Sequence, residues 1–311
     1  MRLKEVWLVP LAALMLIAAG PAPDTPEACT LQHRGEAAVT LDGASPLVQV
    51  AFDGKPATLL LDTGATTTML TQDAMQRLGL RARQIGTVTL QGVGGESIAA
   101  VVQVNKLQFG NVTLTDQPVI ISSFPLRGYR GAGPDGLLGT STLGQFDVDI
   151  DLAHGHLGLY SPRNCVSGNP DWTEPHILKA DDTYAPRANL VYLQVLLDDT
   201  PIYAVVDTGA SVSFVDARAA QAAGTTSEVL REVKPDLVHG AAPQDAPARR
   251  HQFRSLTIGL ENYSHPVLTI GDLAPGIGGM LLGVDYALRH RLWISYASRR
   301  VFVGERINTP P

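Results

Sequence analysis

The segment Asp53-Gly54-Lys55-Pro56-Ala57-Thr58-Leu59-Leu60-Leu61-Asp62-Thr63-Gly64-Ala65-Thr66 recurs without a gap, 145 positions later, as Asp198-Asp199-Thr200-Pro201-Ile202-Tyr203-Ala204-Val205-Val206-Asp207-Thr208-Gly209-Ala210-Ser211. Self-similarity of this kind marks a repeated structural unit. Leu107-Gln108-Phe109-Gly110 is echoed by Leu256-Thr257-Ile258-Gly259, and Asp116-Gln117-Pro118-Val119 by Ser264-His265-Pro266-Val267. Gly136-Leu137-Leu138-Gly139 then returns as Met280-Leu281-Leu282-Gly283. The offset drifts a little between blocks, as loops of unequal length make it do, so the chain holds one fold twice.

Each copy reads mainly as strand. Leu47 to Phe52 and Ala57 to Leu61 are apolar and β-rich around the turn Asp53-Gly54-Lys55-Pro56, and Val191 to Leu197 and Ile202 to Val206 flank Asp198-Asp199-Thr200-Pro201 in the same way. One short helix follows each Asp-Thr-Gly. Thr71 caps the first and Gly79 stops it; Asp216 caps the second, over Ala217 to Ala223, and Gly224 stops it. Further strands are expected at Thr87 to Gln91, Ile98 to Leu107, Val112 to Ile121, Phe146 to Leu152 and Leu157 to Tyr160. Pro162, Pro170, Pro175 and Pro186 oppose both helix and ladder, which makes the intervening stretch a linker, with Trp172 to Leu178 as its one strand-like run.

With 311 residues the chain has ample length for a core, and its 45% hydrophobic content argues against wholesale disorder. A net charge of −6 offers no field for a nucleic-acid backbone, so nucleic acid is not an expected partner. Arg2 and Lys4 precede the apolar run Val6 to Gly20, the charge order and length of a secretory h-region. Residues 1–28 are accordingly read as a signal peptide or an uncleaved N-terminal anchor. The expected location is periplasmic or secreted, or anchored to the inner membrane. An oxidising compartment lets Cys29 and Cys165 pair as a disulfide, clipping the start of the first copy to its end.

Each Asp-Thr-Gly leaves a strand of three apolar residues, which sets its carboxylate at the rim of a core, where desolvation raises the pKa. Two such carboxylates brought together by packing of the copies share a proton, so that one acts as base and the other as acid at the same pH. No ligand cluster stands at zinc-site spacing around His154 and His156, and Ser141, Ser211 and Ser213 lack a nucleophile-elbow setting, so neither a metal nor a serine nucleophile is expected.

On the two Asp-Thr-Gly-Ala segments, the apolar strand before each and the apolar-apolar-Gly element about 75 residues after each, the chain resembles the pepsin and retropepsin aspartic proteases from about Ala37 to Val303. The resemblance implies a mostly β fold: two tandem retropepsin-like closed β-barrel lobes with pseudo-twofold symmetry and one short helix or two per lobe. The lobes are set at 29–161 and 189–307, with a linker at 162–188 and a tail at 308–311. It implies an aspartic endopeptidase that hydrolyses polypeptide without a metal or cofactor. Asp62 and Asp207 would be the catalytic dyad, Thr63 and Thr208 the brace, and Gly64 and Gly209 the residues that permit the tight turn. Gly92, Val93, Gly94 and Gly95 would form a mobile flap tip over the substrate. Because one chain supplies both aspartates, a monomer is expected.

Two features, the flaps and the residue after the apolar-apolar-Gly element, depart from the pattern, while Ala65 and Ala210 are as in retropepsins. The second copy's flap segment, Val238 to Pro247, is proline-bearing and lacks the double-Gly tip, and neither flap carries a Tyr. The Asp after the second apolar-apolar-Gly element, Asp285, is Ser141 in the first copy. Ala65 and Ala210 stand where pepsin-like enzymes place a hydroxyl that holds the ionised carboxylate, so activity is expected at mildly acidic to near-neutral pH. A non-catalytic peptide-binding module on the same fold is the alternative reading.

Overall fold

The computed structural model describes residues 30–92, 95–123, 126, 133–165, 170–172, 176–179, 187, 189–226, 228, 236–238, 245–304 and 306–307. The N-terminal segment, Cys29, Val93, Gly94 and the tail lie outside the described residues.

The first copy contains β1 (Thr30–Asp42), β2 (Ser45–Phe52), β3 (Lys55–Leu61), β4 (Met69–Thr71), α1 (Gln72–Leu78), β5 (Arg83–Gly92), β6 (Gly95–Phe109), β7 (Val112–Ser122), β8 (Gly136–Leu138), α2 (Thr140–Leu143), β9 (Asp147–Asp151) and β10 (His156–Arg163). A strand in the linker, β11 (His176–Lys179), precedes the second copy. That copy contains β12 (Tyr192–Leu197), β13 (Thr200–Val206), β14 (Phe214–Asp216), α3 (Ala217–Ala222), β15 (Asp236–Val238), β16 (Ala246–Gln252), β17 (Ser255–Ile258), β18 (Glu261–Ser264), β19 (Val267–Gly271), β20 (Met280–Leu282), α4 (Val284–Ala287), β21 (Leu292–Ser295) and β22 (Arg300–Val303).

The helix punctuation acts as written in the sequence. Thr71 accepts from the Ala74 N–H at the start of α1, and Gly79 ends it in the left-handed region at φ 56°. Asp216 accepts from Arg218 N–H at the start of α3.

Both copies weave their central strands alike. β3 runs parallel to β8, β8 antiparallel to β4, and β4 parallel to β7; β13, β20, β14 and β19 repeat this order. Strands so enclosed are buried on both faces, which is why Leu59-Leu60-Leu61 and Ala204-Val205-Val206 are unbroken apolar runs. Leu59 and Leu61 enter the main core while Leu60 joins Met69, Ala99, Ile120 and Leu137. Val205 likewise joins Leu190, Tyr192, Phe214, Ala248, Leu273 and Leu281.

The two copies differ in how their sheets are paired. In the first copy β2 pairs with both β3 and β6, returning the sheet on itself. In the second, the long hairpin matching β6 and β7 is broken into β16–β17 and β18–β19, with Phe253 N–H donating to the Pro266 carbonyl and His265 N–H to that of Arg254 across the break. His265 takes φ 52° there, as Asp116 does at 54° in the first copy. The kink is common to both, and the pairing keeps one register on either side of it in each copy.

The lobes are joined by a sheet that the sequence did not announce. β21 pairs with β9, so the order β11–β22–β21–β9–β10–β1 crosses from one copy to the other. Val148 lies opposite Ile294 and Asp149 opposite Trp293, so the register itself obeys the pseudo-twofold. Arg291 binds Asp149 through two hydrogen bonds, 2.9 and 2.5 Å, and lies 4.8 Å from the Trp172 ring centroid. Thr30 pairs with Arg163 at the far end of β1 and β10.

Candidate active site

Each Asp-Thr-Gly begins where a central strand ends. The Asp62 N–H still donates to the Leu138 carbonyl, and the Asp207 N–H to that of Leu282, so both loops start in register with the strand beneath. The apolar-apolar-Gly elements then brace the loops. Gly139 N–H donates to the Thr68 hydroxyl and Gly283 N–H to the Ser213 hydroxyl. Thr140 N–H donates to the Ala65 carbonyl and Val284 N–H to that of Ala210, each at 2.8 Å. Ser141 and Asp285 fill equivalent places by different means: Ser141 accepts from Thr68 N–H, whereas Asp285 accepts from the Ser213 hydroxyl.

Thr63 and Thr208 are buried and reciprocal. The Thr63 hydroxyl donates to the Val206 carbonyl at 2.7 Å and accepts from Thr208 N–H at 3.1 Å; the Thr208 hydroxyl donates to the Leu61 carbonyl at 2.7 Å and accepts from Thr63 N–H at 3.1 Å. Four buried hydrogen bonds therefore pin one loop to the other across the lobe boundary.

This pinning brings Asp62 and Asp207 together. Asp62 accepts from Gly64 N–H at 3.0 Å and Ala65 N–H at 2.8 Å; Asp207 accepts from Gly209 N–H at 2.9 Å and Ala210 N–H at 3.2 Å. Each carboxyl abuts the glycine of the other loop, Asp207 at Gly64 and Asp62 at Gly209. Burial lifts Asp62 well above the ordinary carboxylate range, and the charge of Asp207 adds to the effect. Burial lifts Asp207 too, against the opposing pull of its amide donors, Gly209 first. Such a pair holds one proton between two carboxyls over a broad pH range.

Gly64 and Gly209 lie in the Asp-Thr-Gly turns without entering the left-handed region that only glycine favours. A Cβ on Gly64 would lie 2.3 Å from the Asp207 carboxyl carbon, and one on Gly209 2.4 Å from that of Asp62. Glycine is required by the neighbouring carboxylate.

The pair forms part of the wall of a cavity of about 240 Å³. Leu137 lines it from the first lobe, with Gln91 from the hairpin β5–β6; Val212, Phe214, Leu273, Ile277 and Leu281 line it from the second. Of the expected flap tip, Gly92 and Gly95 face each other in the β5–β6 ladder, while Val93 and Gly94 lie outside the described residues. β15 and β16 pair as the second lobe's counterpart, and Val238 reaches the cavity wall. The wall residues carried no motif in the sequence, because a cleft lining is assembled from loops far apart in the chain. Tyr296 also escaped notice: burial, then the charge of Asp62, raises its phenol pKa, and its hydroxyl has no partner among the described residues. No group of three or more His, Cys, Asp or Glu among the described residues is placed to hold a metal ion.

The family model for aspartyl proteases matches this chain twice, over residues 48–142 and 193–286. The chain belongs to the aspartyl protease family. Both matches contain an Asp-Thr-Gly and end within the short helix that follows the apolar-apolar-Gly element. The crystal structure of an aspartic proteinase from Irpex lacteus is similar to it, with a TM-score of 0.55 at 14% identity over 90% of this chain and 98% of that one. Likeness at that identity is one of fold: two β lobes in tandem. No curated protein sequence matches the chain.

Proposed function

We propose that this member of the aspartyl protease family is an aspartic endopeptidase whose dyad is Asp62 and Asp207. The observation that carries the reading is the meeting of the Asp62 and Asp207 carboxyls, held together by the threonine brace, in the wall of a cleft between the lobes. A water held by the pair attacks the scissile carbonyl carbon. The ionised carboxylate takes the water's proton while the protonated one gives its own to the carbonyl oxygen, forming a neutral tetrahedral diol. Collapse reverses the roles: the amide nitrogen is protonated, the C–N bond breaks, and a hydroxyl proton returns to the pair. The matching amide donors to Asp62 and Asp207 make the two carboxyls near equivalents, so the proton belongs to the pair.

The substrate is an extended polypeptide, the partner class that a cleft between two β lobes accommodates. The chain works as a monomer, exported to the periplasm or beyond, or held at the inner membrane by its N-terminal segment. Incubation with denatured casein across pH 3 to 8 tests the reading, alongside Asp62→Asn and Asp207→Asn. Cleavage by the parent and loss in both variants is expected. Cleavage that survives either substitution would exclude the dyad, and peptide binding without cleavage at any pH would replace the reading with that of a binding module.

A further inference from the structure

One wall residue of the cavity, Gln91, takes part in a contact that the catalytic chemistry does not use. Arg187, near the end of the linker, donates from a single nitrogen, Nη2, to two acceptors: the Gln91 side-chain carbonyl at 3.1 Å and the Pro275 backbone carbonyl at 2.8 Å. Gln91 belongs to the first lobe's flap hairpin and Pro275 to a second-lobe loop, so the two hydrogens of one nitrogen join the lobes. Gln91 lines the dyad cavity, as do Leu273, Ala274 and Ile277 around Pro275. The contact therefore borders the cavity that holds the carboxyl pair.

The two ends differ in rigidity. The second-lobe loop is anchored twice, Leu273 N–H donating to Asp216 and Tyr192 hydroxyl to the Gly276 carbonyl at 2.6 Å, and it is closed internally by Ile277 N–H donating to the Ala274 carbonyl. Arg187 is tied to the same lobe, its carbonyl accepting from the N–H of Leu190, which is buried among Tyr192, Val205 and Phe214. On the flap side, Gln91 is exposed and its amide nitrogen donates to Glu96, one strand over in the same hairpin. The flap is thus the part that gives when the contact breaks.

We propose that Arg187 is a positioning residue that latches the flap down, and that the latched state excludes substrate. A cavity of about 240 Å³ is below the range of about 300–1,000 Å³ typical of sites for drug-sized ligands, and an extended peptide is larger. Substrate must bind to the fraction of molecules whose latch is open, and apparent affinity is reduced by that fraction. The kinetic consequence rests on the endopeptidase reading; the latch itself does not.

Two measurements on the full chain test it, with Arg187→Met, which keeps the stem and removes the donors, and Arg187→Lys, whose ammonium can still donate to both carbonyls. The first is hydrogen exchange of the flap hairpin, with the interlobe strands β9 and β21 as reference. Arg187→Met should accelerate flap exchange about tenfold, the effect of losing a charge-assisted hydrogen bond, leave β9 and β21 unchanged, and be largely rescued by Arg187→Lys. Unchanged flap exchange overturns the latch, as does acceleration spread equally over the reference strands. The second is peptide cleavage. Arg187→Met should lower KM about threefold or more with kcat within about twofold, the sign expected when a closed population is released. A KM that stays the same or rises overturns substrate exclusion. A parent chain that cleaves nothing sinks the endopeptidase reading and leaves the exchange data to decide the latch.

Discussion

A Cβ placed on Gly64 would sit 2.3 Å from the carboxyl carbon of Asp207, a residue of the other lobe. Each lobe thus leaves out a side chain so that the other lobe's carboxylate can approach. Gly64→Ala should displace Asp207, abolish cleavage and lower stability by about 1–3 kcal/mol, the usual range for overpacking. The check is thermal unfolding of a double-mutant cycle: in an Asp207→Ala background the same Gly64→Ala change should be nearly neutral, because the obstructing carboxyl is gone.

The threonine brace predicts a second asymmetry between isosteres. Thr208→Val keeps the shape but leaves the Leu61 carbonyl and the Thr63 N–H unpaired in a buried interface. About 2–6 kcal/mol of stability should be lost, since each of the two buried unsatisfied groups costs about 1–3 kcal/mol. Thr208→Ser, which keeps the hydroxyl, should lose much less. Denaturant unfolding of the two variants distinguishes a hydrogen-bonding brace from a packing one.

The raised carboxyls set a pH dependence with a definite sign. A carboxyl whose folded pKa lies above its unfolded one contributes stability that is complete below the unfolded value, about 3.9, and is lost as pH rises through the folded value. Asp62 and Asp207 both shift upward. Asp62→Asn should therefore raise the melting temperature more at pH 7 than at pH 4, while eliminating cleavage. The parent's pH–rate optimum should lie in the mildly acidic to near-neutral range, and one near pH 2 would contradict the upward shift.

Asp147 offers the same test away from the dyad. It is buried in the interlobe strand β9, and desolvation raises its pKa to about 6. Its favourable contribution should be complete below pH 4 and lost between about pH 4 and 6. Asp147→Asn should flatten that part of the stability curve, gaining at most about 3 kcal/mol at neutral pH and less where water screens the carboxylate. Melting curves from pH 4 to 8 give the comparison.

Cys29 and Cys165 are proposed to pair. Thr30, next to Cys29 in sequence, lies opposite Arg163, two residues before Cys165, in the ladder. Thiol titration of the unfolded, unreduced protein should find no free thiol, and reduction should lower stability by about 2–5 kcal/mol. Two titratable thiols would refute the pairing.

Much of the fold was legible from residues close together in the chain. Thr71, Gly79 and Asp216 mark helix ends because capping is satisfied within a turn. The buried strands before Asp62 and Asp207 show as apolar triplets because strands covered on both faces need no polar alternation. β1 was harder to see: its start, Thr30 to Glu36, is polar and largely solvent-facing. The helices α2 and α4, four residues each, are too short to show a helical period.

The sequence by itself determined the duplication, the two mirrored Asp-Thr-Gly loops and the candidate dyad, because each is written in contiguous residues and then repeated. The tertiary structure alone decided why Gly64 and Gly209 must be glycine, how β9 and β21 join the lobes, which side chains line the cleft, and that Arg187 meets Gln91 and Pro275 at its border. Those contacts link residues dozens to well over a hundred positions apart. No local propensity or period encodes such an approach; it exists only once two lobes are packed about a common axis.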